Sequence, residues 1–246
     1  EIIMEDLKEG IQSGYFFGSG SPLNWDKDLM TMTRNLTASL SPLAISKMAA
    51  SAAAKLHATF WKDQTLTGAW IRGIDWIQTE KMESGEDLWE AYQRQCRETW
   101  EKLDFSIFPW DPFLRACIDA SIEKAKAENG GFRAFRTWIN SEAPWSLVHG
   151  DFHPANCMLE PSKESEGSKD FKLLLLDWEN VGIGSGPQEI GQYLISHMDP
   201  SLRAQVEREV VEDYYRSLIS CNPRIAEEMT LEQCWKEYIL GGAGKW

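Results

Sequence analysis

The sequence predicts an α+β domain, mainly helical, with a small β-hairpin or sheet around one motif-bearing loop. Three observations predict it. Proline follows a capping residue at Ser41-Pro42, Asp111-Pro112 and Asp199-Pro200, each opening a segment with helical character. Apolar runs of strand length at 147–149, 156–159 and 171–176 are bounded by Gly, Pro and polar residues. The 246 residues, 43% hydrophobic and 26% charged, suffice for one large domain with a proper core.

Taken in order, Ile2-Ile3-Met4 reads as the end of a strand that Glu5-Asp6-Leu7 breaks. Gly10 to Pro22, rich in Gly and Ser, reads as a loop. A helix is expected from Asn24 to just before Ser41-Pro42, and a second from there through an alanine-rich segment to about Phe60. Asp111-Pro112 opens another, with Phe113, Leu114, Cys117, Ile118 and Ile122 at helical spacing, closed by Asn129-Gly130-Gly131. Pro161 to Asp170 reads as a surface loop between the last two strands, and Asp199-Pro200 starts a long helix through Tyr215 and Leu218. No repeat and no interdomain linker is visible.

Composition narrows the partners. A net charge of -13 disfavours nucleic acid, whose phosphates demand basic patches, and is compatible with a cationic acceptor or with solubility alone. No apolar run approaches the ~18–20 residues of a membrane span. The first residues, Glu1 to Asp6, lack the basic and long apolar regions of a signal peptide. The five cysteines form no C-x-x-C pair, which suits free, mostly buried thiols in a reducing compartment, most simply the cytoplasm. Twelve tryptophans suit packing of a helical domain, with Trp61, Trp76, Trp89, Trp100 and Trp110 recurring through one helix-rich region.

The chemistry concentrates in Leu147-Val148-His149-Gly150-Asp151-Phe152-His153-Pro154-Ala155-Asn156 and in Leu176-Asp177-Trp178-Glu179. An Asp, an Asn five residues on, and a second Asp after an apolar run form an arrangement that phosphoryl transfer can use. Gly150 and Pro154 forbid a continuous helix, so Asp151 sits on a loop, where catalytic groups commonly reside. Asp151 is the candidate base; a solvated loop aspartate is the alternative. Asn156 can offer a neutral oxygen to Mg²⁺ or cap a turn. Asp177 follows what reads as a fully buried strand, where a carboxylate is costly unless paired or metal-bound. Hard oxygen donors of this kind suit Mg²⁺.

His149 and His153 stand in an H-x-x-x-H spacing, but without a helix or a Cys pair zinc is disfavoured. His149 reads as bracing the loop, and His153 either lies near the acceptor or phosphate or braces as well. His57 and His197 read as packed or surface residues, and Glu179 as a second metal ligand or a solvated side chain. The glycines at 182–186 lack dinucleotide-loop spacing, those at 241–244 lack a phosphate loop's spacing and Ser/Thr, and no G-x-S-x-G elbow exists.

These motifs resemble those of the aminoglycoside phosphotransferase and choline-kinase-like small-molecule kinases, ecdysteroid-kinase-like proteins among them. Their catalytic loop His-Gly-Asp-x-His-x-x-Asn is matched by His149, Gly150, Asp151, His153 and Asn156, and their metal-binding Asp by Asp177-Trp178-Glu179. Lys55-Leu56-His57-Ala58 is similar to the helix behind the family's active site. Gly186-Pro187-Gln188-Glu189-Ile190-Gly191 is similar to a helix start that usually carries Asp-Leu-Ala and braces the loop backbone, with Glu189 where Asp is commoner.

The resemblance implies a protein-kinase-like C-terminal lobe over residues 8–246. Residues 1–7 would end an N-terminal-lobe strand and form the hinge, with the backbone of Glu5, Asp6 and Leu7 receiving the adenine. On that resemblance the N-terminal lobe, with its Gly-rich cover and strand lysine, would be largely absent from these residues. It implies ATP- and Mg²⁺-dependent transfer to a hydroxyl of a small molecule, with Asp151 and His153 catalytic and Asn156 and Asp177 on the metal. Activity of this chain alone is doubtful on that reading, and a non-catalytic pseudokinase or ligand- or partner-binding lobe is the alternative. The acceptor would be chosen by the region from about Asn24 to Ser141.

Overall fold

The computed structural model describes residues 10–20, 40–68, 71, 82–107, 110–127, 137, 144–161 and 171–244. The strand and hinge expected at 1–7, the helix expected from Asn24, and residues 162–170 of the expected surface loop lie outside them. The chain divides into two units, one of Glu1–Gln64 with Pro144–Trp246, the other of Thr65–Ala143. Helices dominate the described residues, with two small antiparallel sheets, as an α+β chain requires.

In the first unit, α1 spans Pro42–Thr59, with the Ser41 hydroxyl accepting from the Ala44 amide at 3.2 Å and Pro in the first turn. Ala49, Ala50, Ala53, Ala54 and Ala58 are all buried along one stripe of α1. Small side chains let a neighbouring helix approach closely. That neighbour is α5, Pro200–Cys221, which presents Val206, Val210, Val211, Tyr214 and Leu218. Its start carries the expected cap, Asp199 accepting from the Ser201 amide at 2.8 Å. Between them in sequence lies α4, Gly186–His197, and after them come the short α6, Ile225–Glu228, and α7, Leu231–Gly244, which packs on α4.

One sheet orders β1 (Ile11–Gln12), β3 (Cys157–Pro161) and β4 (Phe171–Leu175). The other pairs β2 (Trp145–Val148) with β5 (Gly182–Ser185), Trp145 opposite Ser185 and Val148 opposite Gly182. The segment expected as a loop from Gly10 instead contributes β1 and a 3-10 helix over Ser13–Gly20. Two residues are too few for a period to show. Their order comes from distant partners, Met158 and Leu159 across the ladder and the Pro154 carbonyl, which accepts from the Ser13 hydroxyl at 2.9 Å.

In the second unit, α2 spans Met82–Lys102 and α3 spans Pro112–Lys126. The Asp111 carboxylate caps α3, accepting from the Phe113 and Leu114 amides at 2.8 and 3.1 Å. α3 ends with extended backbone at Ala127, and the expected closing residues Asn129-Gly130-Gly131 lie outside the described residues. None of its residues is buried. The expectation of mostly buried thiols fails here and on α5: Cys96, Cys117 and Cys221 are exposed and only Cys157 and Cys234 are buried, all five free. Among the described residues, no helix is long and apolar enough to cross a membrane.

Candidate active site

The loop after β2 is fixed mainly through its backbone. Val148 and His149 are buried, and the chain turns at Gly150, whose φ of 86° lies where only glycine is free of strain. Both amides of this turn are held by one carboxylate: the His149 amide donates to Glu189 Oε2 at 3.1 Å and the Gly150 amide to Oε1 at 2.7 Å. Glu189 belongs to the first turn of α4 and is 2% exposed. Its Oε2 also meets His57 Nε2 at 2.9 Å, and His57 Nδ1 meets the Tyr214 hydroxyl at 2.9 Å. With the ring hydrogen on Nε2, His57 donates to Glu189 and accepts from Tyr214, so the buried chain is satisfied throughout. Burial and neighbouring Cys234 and Glu189 hold the Tyr214 hydroxyl far from ionising.

His149 braces the loop a second way. Its Nε2 donates to the Leu176 carbonyl at 2.6 Å, and its Nδ1 accepts from the Asp151 amide at 3.3 Å. Trp178 covers the ring at 4.6 Å between centroids. Phe152, fully buried against Tyr193, pins the middle of the loop to the core. Pro154–Asn156 then form a 3-10 turn whose start is capped by His153, Nδ1 accepting from the Ala155 amide at 3.2 Å. That acceptor role leaves the hydrogen of a neutral ring on Nε2, 3.5 Å from Asp151 Oδ2.

Asp151 turns its carboxylate toward two side-chain amides while staying about one-third exposed. Asn156 Nδ2 donates to the Asp151 carbonyl at 3.0 Å and to Oδ2 at 3.3 Å. Gln192 Nε2 donates to Oδ1 at 3.3 Å. Behind His153 lies His197, stacked at 5.5 Å with rings 17° apart. Burial, and then the neighbouring His153, push the His197 ring down to about 4. Its Nδ1 has no partner.

The structure thus joins Asp151, His153 and Asn156 by direct contacts. Asp177 is brought beside them by the backbone: the Leu176 amide donates to the Asn156 carbonyl at 2.9 Å, and Cys157 lies opposite Leu175. One expectation about Asp177 is overturned. The preceding strand is half-buried and Asp177 is exposed, because among the described residues β4 is paired on one side only. No burial cost falls on its carboxylate. What singles it out instead is its left-handed backbone, φ 63° and ψ 65°, uncommon outside glycine and tolerated by Asp. Glu179 is exposed, and His57 and His197 are both buried. Glu5, Asp6 and Leu7 lie outside the described residues.

Sequence reasoning passed over Gln192 and Tyr214. For Gln192 a signal existed: it follows Glu189 by three positions on a helix, so the two share a face.

Residues 79–226 match the model of the ecdysteroid kinase-like family, more than half of the chain, and the chain belongs to that family of small-molecule kinases. The match takes in Asp151, Asn156, Asp177, Glu189 and Gln192, while His57 lies upstream of it. No curated protein and no solved structure matches the chain.

Proposed function

We propose that the protein transfers the γ-phosphoryl group of ATP to a hydroxyl of a small molecule. The observation that supports this most is the Asp151 carboxylate, held on both oxygens by neutral donors on a loop whose backbone is clamped by a buried glutamate. A carboxylate fixed in this way and still reached by solvent can accept the hydrogen of an acceptor hydroxyl, orient its oxygen, and take the proton late in the transfer. Phosphoryl transfer asks little covalent chemistry of a protein, so positioning of this kind is what the loop can contribute.

The donor set fits Mg²⁺. Asn156 spends its Nδ2 on the Asp151 carbonyl and carboxylate, which leaves its Oδ1 for a cation. Asp177 adds an exposed carboxylate that makes no capping bond to the turn it opens. Neutral and anionic oxygens are the ligands Mg²⁺ prefers. When bound, Mg²⁺ would hold the nucleotide phosphates and offset their charge. By resemblance, the backbone of Glu5, Asp6 and Leu7 is the proposed adenine contact. For His153, the Nε2 facing Asp151 favours a place beside the reacting hydroxyl over bracing alone.

The test is a ³¹P spectrum of the full-length protein with Mg-ATP and separate alcohols: amino alcohols, sterols, sugars and aminoglycosides. A new phosphomonoester signal matched by ADP supports the reading. Nucleotide or ligand binding with no phosphoester from any alcohol would favour a non-catalytic lobe.

A further inference from the structure

We propose that Gln192 is a positioning residue that fixes the plane of the Asp151 carboxylate, a role that rests on the phosphotransferase reading of this loop. The torsion that turns a carboxylate about its Cβ–Cγ bond is broad and roughly two-fold, so packing alone sets it poorly. Two bonds on different oxygens set it well. Oδ2 takes Asn156 Nδ2 at 3.3 Å, but Asn156 rides on the same loop and moves with it. Oδ1 takes Gln192 Nε2 at 3.3 Å, and Gln192 stands on α4, 5% exposed.

Glu189, one turn earlier on the same face of α4, already holds the His149 and Gly150 amides. One helix therefore registers both the loop backbone and the carboxylate it carries. The amide is oriented with nitrogen toward Asp151, since its oxygen would meet the carboxylate with like partial charge. A base whose plane is set before the hydroxyl arrives loses no orientation entropy at the reacting step.

The role is read in two ways in the full-length protein. In ¹⁵N-labelled protein, Asp151→Ala moves a Gln192 side-chain amide proton upfield; an unmoved resonance overturns the contact. In Mg-ATP turnover, with water as acceptor where no alcohol is known, Gln192→Met lowers kcat about tenfold, the low end of the scale for one hydrogen bond to a charged group. KM for Mg-ATP stays within about twofold, and Gln192→His, which keeps an N–H donor, restores most of the rate. A kcat and KM that worsen together, or no rescue by His, overturns positioning. The two readings fail separately. A wild type that turns over but is equalled by Gln192→Met sinks only the role of Gln192. A wild type that neither hydrolyses ATP nor phosphorylates any alcohol sinks the phosphotransferase reading and the kinetic role with it.

Discussion

His57 and Glu189 meet 2.9 Å apart, ring nitrogen to carboxylate oxygen, with 0% and 2% of their side chains exposed. The pair lies behind the His149–Asn156 loop and connects α1 to α4. Because the same Glu189 oxygen accepts from the His149 amide, loss of either partner disturbs the loop and the core together. Glu189→Gln keeps the volume but turns an N–H toward one of three donors. The expected loss is about 3 kcal/mol of stability, the scale of a broken buried charge-assisted bond. Urea denaturation checks it, and a loss under about 0.5 kcal/mol would contradict the bracing role.

Gly186 tests the other end of this chain of bonds. A β-carbon there would overlap the Tyr214 hydroxyl and His57 Nδ1, the two atoms that bond each other. Gly186→Ala is expected to cost about 1–3 kcal/mol, the range for overpacking a core. Adding Tyr214→Phe removes one of the overlapping atoms, so the double variant should lose less than the sum of the singles. Additive losses by thermal denaturation would show that the hydroxyl is not what the methyl meets.

Much of this was legible beforehand, and the limits have physical causes. The caps at Ser41, Asp111 and Asp199 act within one turn, so the helix starts at 42, 112 and 200 could be read directly. The loop from His149 to Asn156 could be read because glycine and proline punctuate it. The pairing of β2 with β5 and the order of β1 could not, since short strands with distant partners carry no period. Asp177 was expected to be dear to bury because four leucines precede it. An edge strand half-exposes such a run, and no local pattern tells an edge from a centre. Gln192 was passed over because a helix places it against Asp151 from 41 residues away.

His197 gives the fold a pH dependence. Its ring titrates at 6.5 when unfolded and at about 4 when folded, so between those values the unfolded chain binds a proton that the folded chain refuses. Its contribution is complete above about pH 6.5 and is lost as the pH falls to about 4, by on the order of 3 kcal/mol. His197→Leu should flatten that limb. Equal slopes for wild type and variant, from urea titrations at pH 7, 5.5 and 4.5, would show that His197 does not set it.

Asp177→Ala is expected to weaken Mg-ATP binding at least tenfold, and more than Asp151→Asn does. A metal ligand acts in ground-state binding, whereas a base acts mainly in the transition state. Calorimetry of Mg-ATP against both variants decides it. Wild-type affinity in Asp177→Ala would remove this residue from the proposed Mg²⁺ ligands.

The proposed role of Asp151 as the base is read most directly from single-turnover transfer from Mg-ATP by wild type and Asp151→Asn in the full-length protein. Asn keeps the shape and the neighbours Asn156 and Gln192 but cannot take a proton. The expected result is transfer slowed at least a hundredfold, the lower end of the ~10²–10⁴ scale for a positioned acid–base group, with nucleotide affinity little changed. Transfer by Asp151→Asn at close to the wild-type rate would show that Asp151 is not the base.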